Sequence, residues 1–495
     1  MKILQHLWKY HQRGVIFADL RYLNTYSTEK FPSSEEKLSH AYLPKSYLNT
    51  GSVYVHWPYC RQRCSYCNFV KFIPHPNSHW TIQDNILEDA MVKELQHNLQ
   101  HSHISSVQSV FFGGGTPSLA RPHMVEKVLA AIEEVCHLEE NAEITLEGNP
   151  TSLETKKLKD FRAVKGINRV SIGVQALDES SLRLLNRDHS IKEAMQCIHV
   201  AKQLFPGRMS IDLIFGRPAQ TTQSWAQELE KVLSFCDDHI SLYQLTVERG
   251  TKLFCQVKSG EVIMPSTDQM ADLYEVAVSL LDSSGFTRYE VSNFARGYLA
   301  ECVHNKSYWQ GLQYIGVGPG AHSRVVPKTI SENNSVDNLC ISKFSRKETH
   351  FNNSRNNELH SLQNNNCLSK NDYNNYTVRE ARVNAADPAN WLREVTLNGS
   401  GVRKITPQTM FDVICEYVAS GLRTNTGITA ETWNILLPHI TLWEAFHEST
   451  VWLQENKLLQ VSSERVKATR QGLNVLDSIL PYLLNILEEK FTKFD

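Results

Sequence analysis

Six short apolar runs, each closed by glycine or a polar residue, dominate residues 51–247 and limit what this chain can become. They are GSVYVHW (51–57), VQSVFFGGG (107–115), AEITLEGNP (142–150), INRVSIGVQ (167–175), GRMSIDLIFG (207–216) and HISLYQLTV (239–247). Their Val, Ile, Phe and Tyr content suits a pleated, packed surface. Between them, stretches such as MVEKVLAAIEEVCHL (124–138) and SWAQELEKVLSFC (224–236) repeat apolar residues at helical spacing. Strands alternating with helices predict an α/β fold built on a parallel sheet, here a partial (β/α)6 barrel. In such a barrel the ligand site lies at the C-terminal ends of the strands. The chemically capable residues fall there: a cysteine cluster after the first run, GGGTP after the second, Glu147 after the third, Gln175 after the fourth and Asp212 near the end of the fifth.

The rest of the chain divides around this unit. Residues 1–47 open with MKILQHLWKYHQRGVIFADLRYLNTYST, where Lys2, Lys9, Arg13 and Arg21 face a single acid, Asp19. Basic, acid-poor and amphipathic is the pattern of a mitochondrial transit peptide. The barrel is expected over 48–327. Residues 328–377 are rich in Asn and Ser and too poor in apolar residues to bury a core, so they read as a disordered insertion. A mainly helical C-terminal domain is expected over 378–495, with a small β wing at KLLQVSSERVKAT (457–469). The wing has no basic face and the formal net charge is −2, so nothing supports nucleic acid as a partner. No apolar run approaches the roughly 20 residues of a membrane-spanning helix. The remaining cysteines are scattered, which fits a reducing compartment and one metal site better than a disulfide framework.

That site is read from YVHWPYCRQRCSYCNF (54–69), which sets Cys60, Cys64 and Cys67 in a C-x3-C-x2-C spacing. Thiolates suit zinc or iron–sulfur clusters. A structural zinc is normally closed by four protein ligands, and here His56, His75 and His79 are the candidates for the fourth. Three cysteines on one loop fit a [4Fe–4S] cluster whose fourth iron is open to a small molecule. From spacing alone, zinc and a chance trio of core cysteines remain as alternatives.

The trio, with Tyr66 before the third cysteine and GGGTP (113–117) at the second strand, resembles the signature of the radical SAM superfamily. That resemblance implies a [4Fe–4S] cluster whose open iron chelates S-adenosyl-L-methionine, the source of a 5′-deoxyadenosyl radical. Further segments are EGNP, SIGVQALDESSLRLLNRDHS, DLIFGRPAQT, RYEVSNFA, HNKSYWQGLQYIGVGPGAHS and GLRTNTGI. They look like the branch related to oxygen-independent coproporphyrinogen III oxidase, and within it the HemW-type heme chaperones, mitochondrial ones included. Two features narrow the match. Phe69 stands where the oxidases carry a further cysteine, and His304-Asn305-Lys306-Ser307-Tyr308-Trp309 matches the HNxxYW pattern of the HemW-like proteins. Ala219 departs from the glycine usual in the family.

The resemblance implies a heme chaperone of the mitochondrion, with the matrix as its expected place. It would bind heme and pass it to haemoproteins that the sequence does not identify. An enzyme of the coproporphyrinogen III oxidase type is the alternative. By residue, Cys60, Cys64 and Cys67 would hold the cluster. Tyr54, Tyr66 and Glu147 would lie at the methionine moiety, Gly114, Gly115 and Thr116 would line it, and Gln175, Arg187 and Asp212 would hold the ribose and carboxylate. Glycines allow close backbone approach, and Arg or Asp against such groups gives strong charge-assisted hydrogen bonds. Singly, Arg187 reads equally as a surface ion pair and Asp212 as a helix cap. His304 is the expected axial ligand of heme iron, because a neutral imidazole suits that role. His322 and Cys302 are competing ligands, and His304 could instead only tie its loop to the barrel.

Overall fold

The computed structural model describes residues 45–74, 80–164, 166–328 and 377–492. The transit-peptide expectation for the first 44 residues and the disorder expected from 329 to 376 therefore fall outside the described residues, as do His75 and His79.

All six apolar runs are strands: β1 (Thr50–Trp57), β2 (Ser106–Gly114), β3 (His137–Gly148), β4 (Arg169–Gln175), β5 (Met209–Phe215) and β6 (His239–Gln244). They pair in parallel in chain order. β8 (Asn293–Ala295) lies antiparallel to β6, and β7 (Thr287–Arg288), antiparallel to β8, closes that flank. On the other flank β9 (Gln313–Val317) lies parallel to β1. β10 (His322–Val325), β11 (Thr377–Asn384) and β12 (Val402–Thr409) follow it antiparallel. The result is one open sheet of 12 strands, edged by β12 and β7. β9 is a short glycine-bearing strand that the sequence pattern did not single out.

The two faces of the sheet differ in chemistry. Side chains alternate along a strand. On β1, Val53, Val55 and Trp57 enter the main apolar core, which also takes Val110, Phe112, Ile144 and Leu146 from β2 and β3. The alternate residues Ser52, Tyr54 and His56 turn to the concave side. Helices cover the apolar face, and their starts are fixed by reciprocal capping boxes such as Ser190 with Glu193 and Thr221 with Ser224. A cap of this kind contributes about 1 kcal/mol.

From Met410 the chain is mainly helical, ending in the helix Leu476–Thr492. A second core built on Trp433, Phe446, Leu453 and Leu483 holds this part together. The wing is a three-stranded sheet of β13 (Ile428–Thr429), β14 (Leu459–Val461) and β15 (Arg465–Ala468), in the order β13-β15-β14. Residues 377–384 and 402–409, which precede the helices, extend the central sheet. Their alternation is partly polar: Arg379 is 2% exposed because Gln408 and Glu416 bind its guanidinium.

Glu94, fully buried on the helix Trp80–Gln100, ties the two flanks together. Its carboxyl accepts from Gly318 N at 2.8 Å, Gly401 N at 2.7 Å, Trp391 Nε1 at 2.9 Å and Asn384 Nδ2 at 3.0 Å. Burial lifts its pKa to about 7 against the pull of these four donors. Glu94→Ala would strand all of them in the core and should destabilise the protein by about 3–5 kcal/mol, read from urea unfolding. Because the folded pKa lies above the unfolded one, this carboxyl contributes stability below pH 4.5 that is lost as pH rises through about 7. That part of the pH profile should vanish in Glu94→Gln.

Candidate functional site

The loop from Pro58 to Phe72 carries the three cysteines and is stapled on every side. At its base, Cys60 N donates to Phe72 O at 3.0 Å and Phe72 N to Pro58 O at 2.7 Å. His56 contributes Nε2 to the Val70 carbonyl at 2.8 Å. Lys71 Nζ donates to the carbonyls of Cys67 and Phe69 at 2.5 and 3.2 Å. On the far side Ser65 donates to Leu184 O and Leu185 O, while Asn186 Nδ2 reaches Arg63 O at 2.7 Å. Asn186 has φ 53°, a left-handed conformation that asparagine tolerates.

The glycines after β2 are explained by the same loop. Gly115 N donates to Trp57 O at 2.7 Å and Thr116 N to Tyr59 O at 2.9 Å. A Cβ on Gly115 would stand 2.7 Å from Tyr59 O, and one on Gly114, at φ +104°, would stand 2.7 Å from the His56 ring. Part of the space that these glycines leave free is filled by main chain of the cysteine loop.

The thiols are linked by a chain of side chains. Thr116 Oγ1 donates to Cys60 Sγ at 3.4 Å, and Asn149 Nδ2 to Thr116 Oγ1 at 3.4 Å. Arg187 Nη2 donates to Asn149 Oδ1 at 2.6 Å and to Gly173 O at 2.9 Å, while Nη1 reaches Cys64 Sγ at 3.2 Å. Glu154, itself held by Ser118, accepts from Asn149 N at 2.9 Å and fixes that residue. Burial pushes the Cys60 thiol up to about 11. For Arg187, burial opposes the charge, but the Cys64 sulfur and the Tyr66 hydroxyl beside it more than restore it. Donors aimed at sulfur suit thiolate ligands of a cluster. Among the described residues no three His, Cys, Asp or Glu converge tightly enough for one ion. His56, a zinc candidate, is committed through Nδ1 to Tyr54 and through Nε2 to Val70.

Beneath the loop lies the concave floor. Glu147 Oε2 lies 3.0 Å from where a Cβ on Gly113 would stand, with the Tyr54 ring equally near. Burial first, and then the Asp212 charge, push the Glu147 carboxyl up to about 8. Asp212 is raised by burial and takes hydrogen bonds at 3.0 Å from Ser171 and 3.4 Å from Ser210. It therefore sits on the open face of β5, not at a helix start. Gln175 ends β4 at φ 68°, and its Oε1 is buried without a partner, as is Arg187 Nε. Such strain and unpaired polar atoms gather where a ligand is to be received. So Tyr54, Tyr66, Gly114, Gly115, Thr116, Glu147, Gln175, Arg187 and Asp212 all gather at or below the cysteine loop.

His304 does not join them. It is 1% exposed and sits under Phe111, stacked at 4.9 Å. Both ring nitrogens are used, Nδ1 with Ser109 Oγ at 3.0 Å and Nε2 with Tyr308 Oη at 2.8 Å. Through these bonds the imidazole ties its helix to the sheet. Cys302 is also closed off, its thiol donating to Glu143 at 3.2 Å. Asn149 and the serines around Asp212 also line the candidate site, and in the sequence only the EGNP segment points to Asn149.

A sequence model of the Radical SAM superfamily matches residues 54–232. The mouse protein named radical S-adenosyl methionine domain-containing protein 1, mitochondrial, is 41% identical over 90% of this chain and 90% of its own. The heme chaperone HemW of Escherichia coli is 35% identical over 55% of this chain and 70% of its own. Coproporphyrinogen III oxidase (HemN) of Escherichia coli shares the fold, with a TM-score of 0.64 at 19% identity over 88% of this chain and 90% of that one.

Gly115→Ala should push the cysteine loop off its seat. In the wild type without a cluster, Cys60 is 8% exposed and should alkylate far more slowly than Cys64 or Cys67. In the variant, peptide mapping should find that lag gone; unchanged labelling would refute the role given to the glycine.

Proposed function

The chain belongs to the radical SAM superfamily, in the family of the mitochondrial radical S-adenosyl methionine domain-containing protein 1, and on that premise we propose that it is a heme carrier. It takes up heme and passes it to haemoproteins, in the mitochondrion and within the matrix. The name borne by the HemW relative supports this reading, as does the mitochondrial naming of the closely similar animal proteins. The observation that carries it is Phe69. Where the oxidases would place another cysteine, this loop presents an aromatic side chain that is 61% exposed.

Cys60, Cys64 and Cys67 hold a [4Fe–4S] cluster. Thr116 and Arg187 donate to two of those sulfurs, which raises a cluster's reduction potential. When bound, the cluster and S-adenosylmethionine supply one-electron chemistry at a sulfonium. Gly114, Gly115 and Thr116 line the methionine moiety; Tyr54, Tyr66 and Glu147 orient it. Arg187, with its unpaired buried Nε–H, takes the carboxylate, and the Asp212 carboxylate and the unpaired Gln175 Oε1 accept from the ribose hydroxyls.

Two measurements test this. Anaerobically reconstituted protein given hemin should bind it, and the same protein given coproporphyrinogen, S-adenosylmethionine and a reductant should form no protoporphyrinogen. Protoporphyrinogen formation would overturn the carrier reading. The second concerns Glu147, which is protonated below about pH 8. Amino N–H groups donate best to its ionised form, so Glu147 should make S-adenosylmethionine affinity rise as pH climbs toward 8. That component should be missing from Glu147→Gln in equilibrium dialysis.

A further inference from the structure

We infer that the outer side of the cysteine loop is the docking surface for an acidic protein that hands single electrons to the cluster. The inference rests on the cluster reading above and adds the route by which the cluster is reduced. One-electron chemistry at a sulfonium consumes an electron, which must reach the cluster from outside the chain. In the step proposed, one electron leaves the donor and enters the cluster, and no bond is made or broken.

The thiols lie close under this surface. Cys60 is buried, but Cys64 and Cys67 are half-buried. Exposed residues flank both: Arg61 and Arg63 precede Cys64, and Asn68 and Phe69 follow Cys67. Main-chain contacts bring two more cations to the loop. Ser65 Oγ donates to Leu184 O at 2.7 Å, and Leu253 N donates to Ser65 O at 2.8 Å. The residues just before these two leucines, Arg183 and Lys252, are exposed. Gln62 Nε2 donates to Asn186 O at 3.1 Å and Asn186 Nδ2 to Arg63 O at 2.7 Å, which holds the Arg183 segment against the loop.

These charges are available to a partner. Arg121, Arg423 and Arg470 close on carboxylates. Among the described residues, Arg61, Arg63, Arg183 and Lys252 do not. Of the acids nearby, Asp178 caps its own helix, Glu179 accepts from Ile191 N, and Asp188 and Glu248 are half-buried. The surface is therefore cationic, although the whole chain carries a formal charge of only −2. Phe69 adds an exposed apolar contact. Arginine and aromatic side chains are enriched where proteins meet, and redox encounters need less area than stable complexes. Opposite charge steers such brief encounters. An electron donor is the occupant that gains from standing directly over the sulfurs.

The test is stopped-flow reduction of full-length, anaerobically reconstituted protein. The donor is an acidic flavodoxin in its fully reduced form, whose blue semiquinone reports each electron delivered. For the wild type the rate should fall about tenfold or more as salt rises from about 20 mM to about 0.5 M. The double variant Arg61→Glu/Arg63→Glu and, separately, Arg183→Glu should be slower than the wild type by about tenfold at low salt and by much less at high salt. Light-driven reduction by uncharged deazariboflavin should keep the wild-type rate in both. If deazariboflavin alone reduces the wild type, or the variants match it with flavodoxin, or they slow equally with deazariboflavin, the docking assignment falls and the cluster reading stands. If neither reductant reduces the wild type, the cluster reading falls first and the docking surface with it.

Discussion

The close seating of the cysteine loop on the turn after β2 is the constraint on which the site depends. Two main-chain hydrogen bonds, Gly115 to Trp57 and Thr116 to Tyr59, bring two loops together at the ends of adjacent parallel strands. Only glycine allows this at Gly115, because any Cβ would collide with the Tyr59 carbonyl. Once the loops are seated, Thr116 is within reach of Cys60, Asn149 within reach of Thr116, and Arg187 bridges Asn149 to Cys64. Strands β1 to β4 thus each contribute a member to one hydrogen-bonded circuit around the thiols. A cluster seated there would be gripped by the sheet as a whole and not by one loop alone.

The polar concave face needs its own support, since unpaired polar groups in a core cost several kcal/mol each. It is supplied in layers. Deepest is Glu143, 1% exposed, which accepts from Arg208 Nη2, the Cys302 thiol and His304 N. Beside it Ser210 bonds His239, whose other nitrogen meets Tyr289. These groups anchor the helix Val303–Trp309 beneath Tyr54 and Phe111. Gln175 Oε1 and Arg187 Nε are buried without a partner at the end of the sheet that faces the cysteines.

Much of this was legible in the sequence, for physical reasons. The six strands are marked by β-branched and aromatic runs, and strands lying in parallel put Glu147, Gln175 and Asp212 at one end. The cysteine spacing was equally direct, since ligands close in sequence must be close in space. What escaped were features decided by partners far along the chain. β11 and β12 are strands because β10 offers an edge and Glu416 neutralises Arg379 and Arg324, not because their composition favours extension. His304 looked like a ligand because a histidine beside Tyr and Trp fits a heme pocket equally well. Whether its nitrogens were free depended on Ser109, 195 positions away.

The pairing of β10 with β11 has one more consequence. Val325 sits opposite Glu380 at the end of the sheet remote from the cysteines, so the long stretch joining these neighbours departs from and returns to a single closed gap. The entropy of closing such a gap grows only with the logarithm of the spacer. Evolution can accordingly lengthen or shorten this connection at negligible thermodynamic expense, and an engineer seeking a place for a purification handle or a fluorescent reporter has a natural port there.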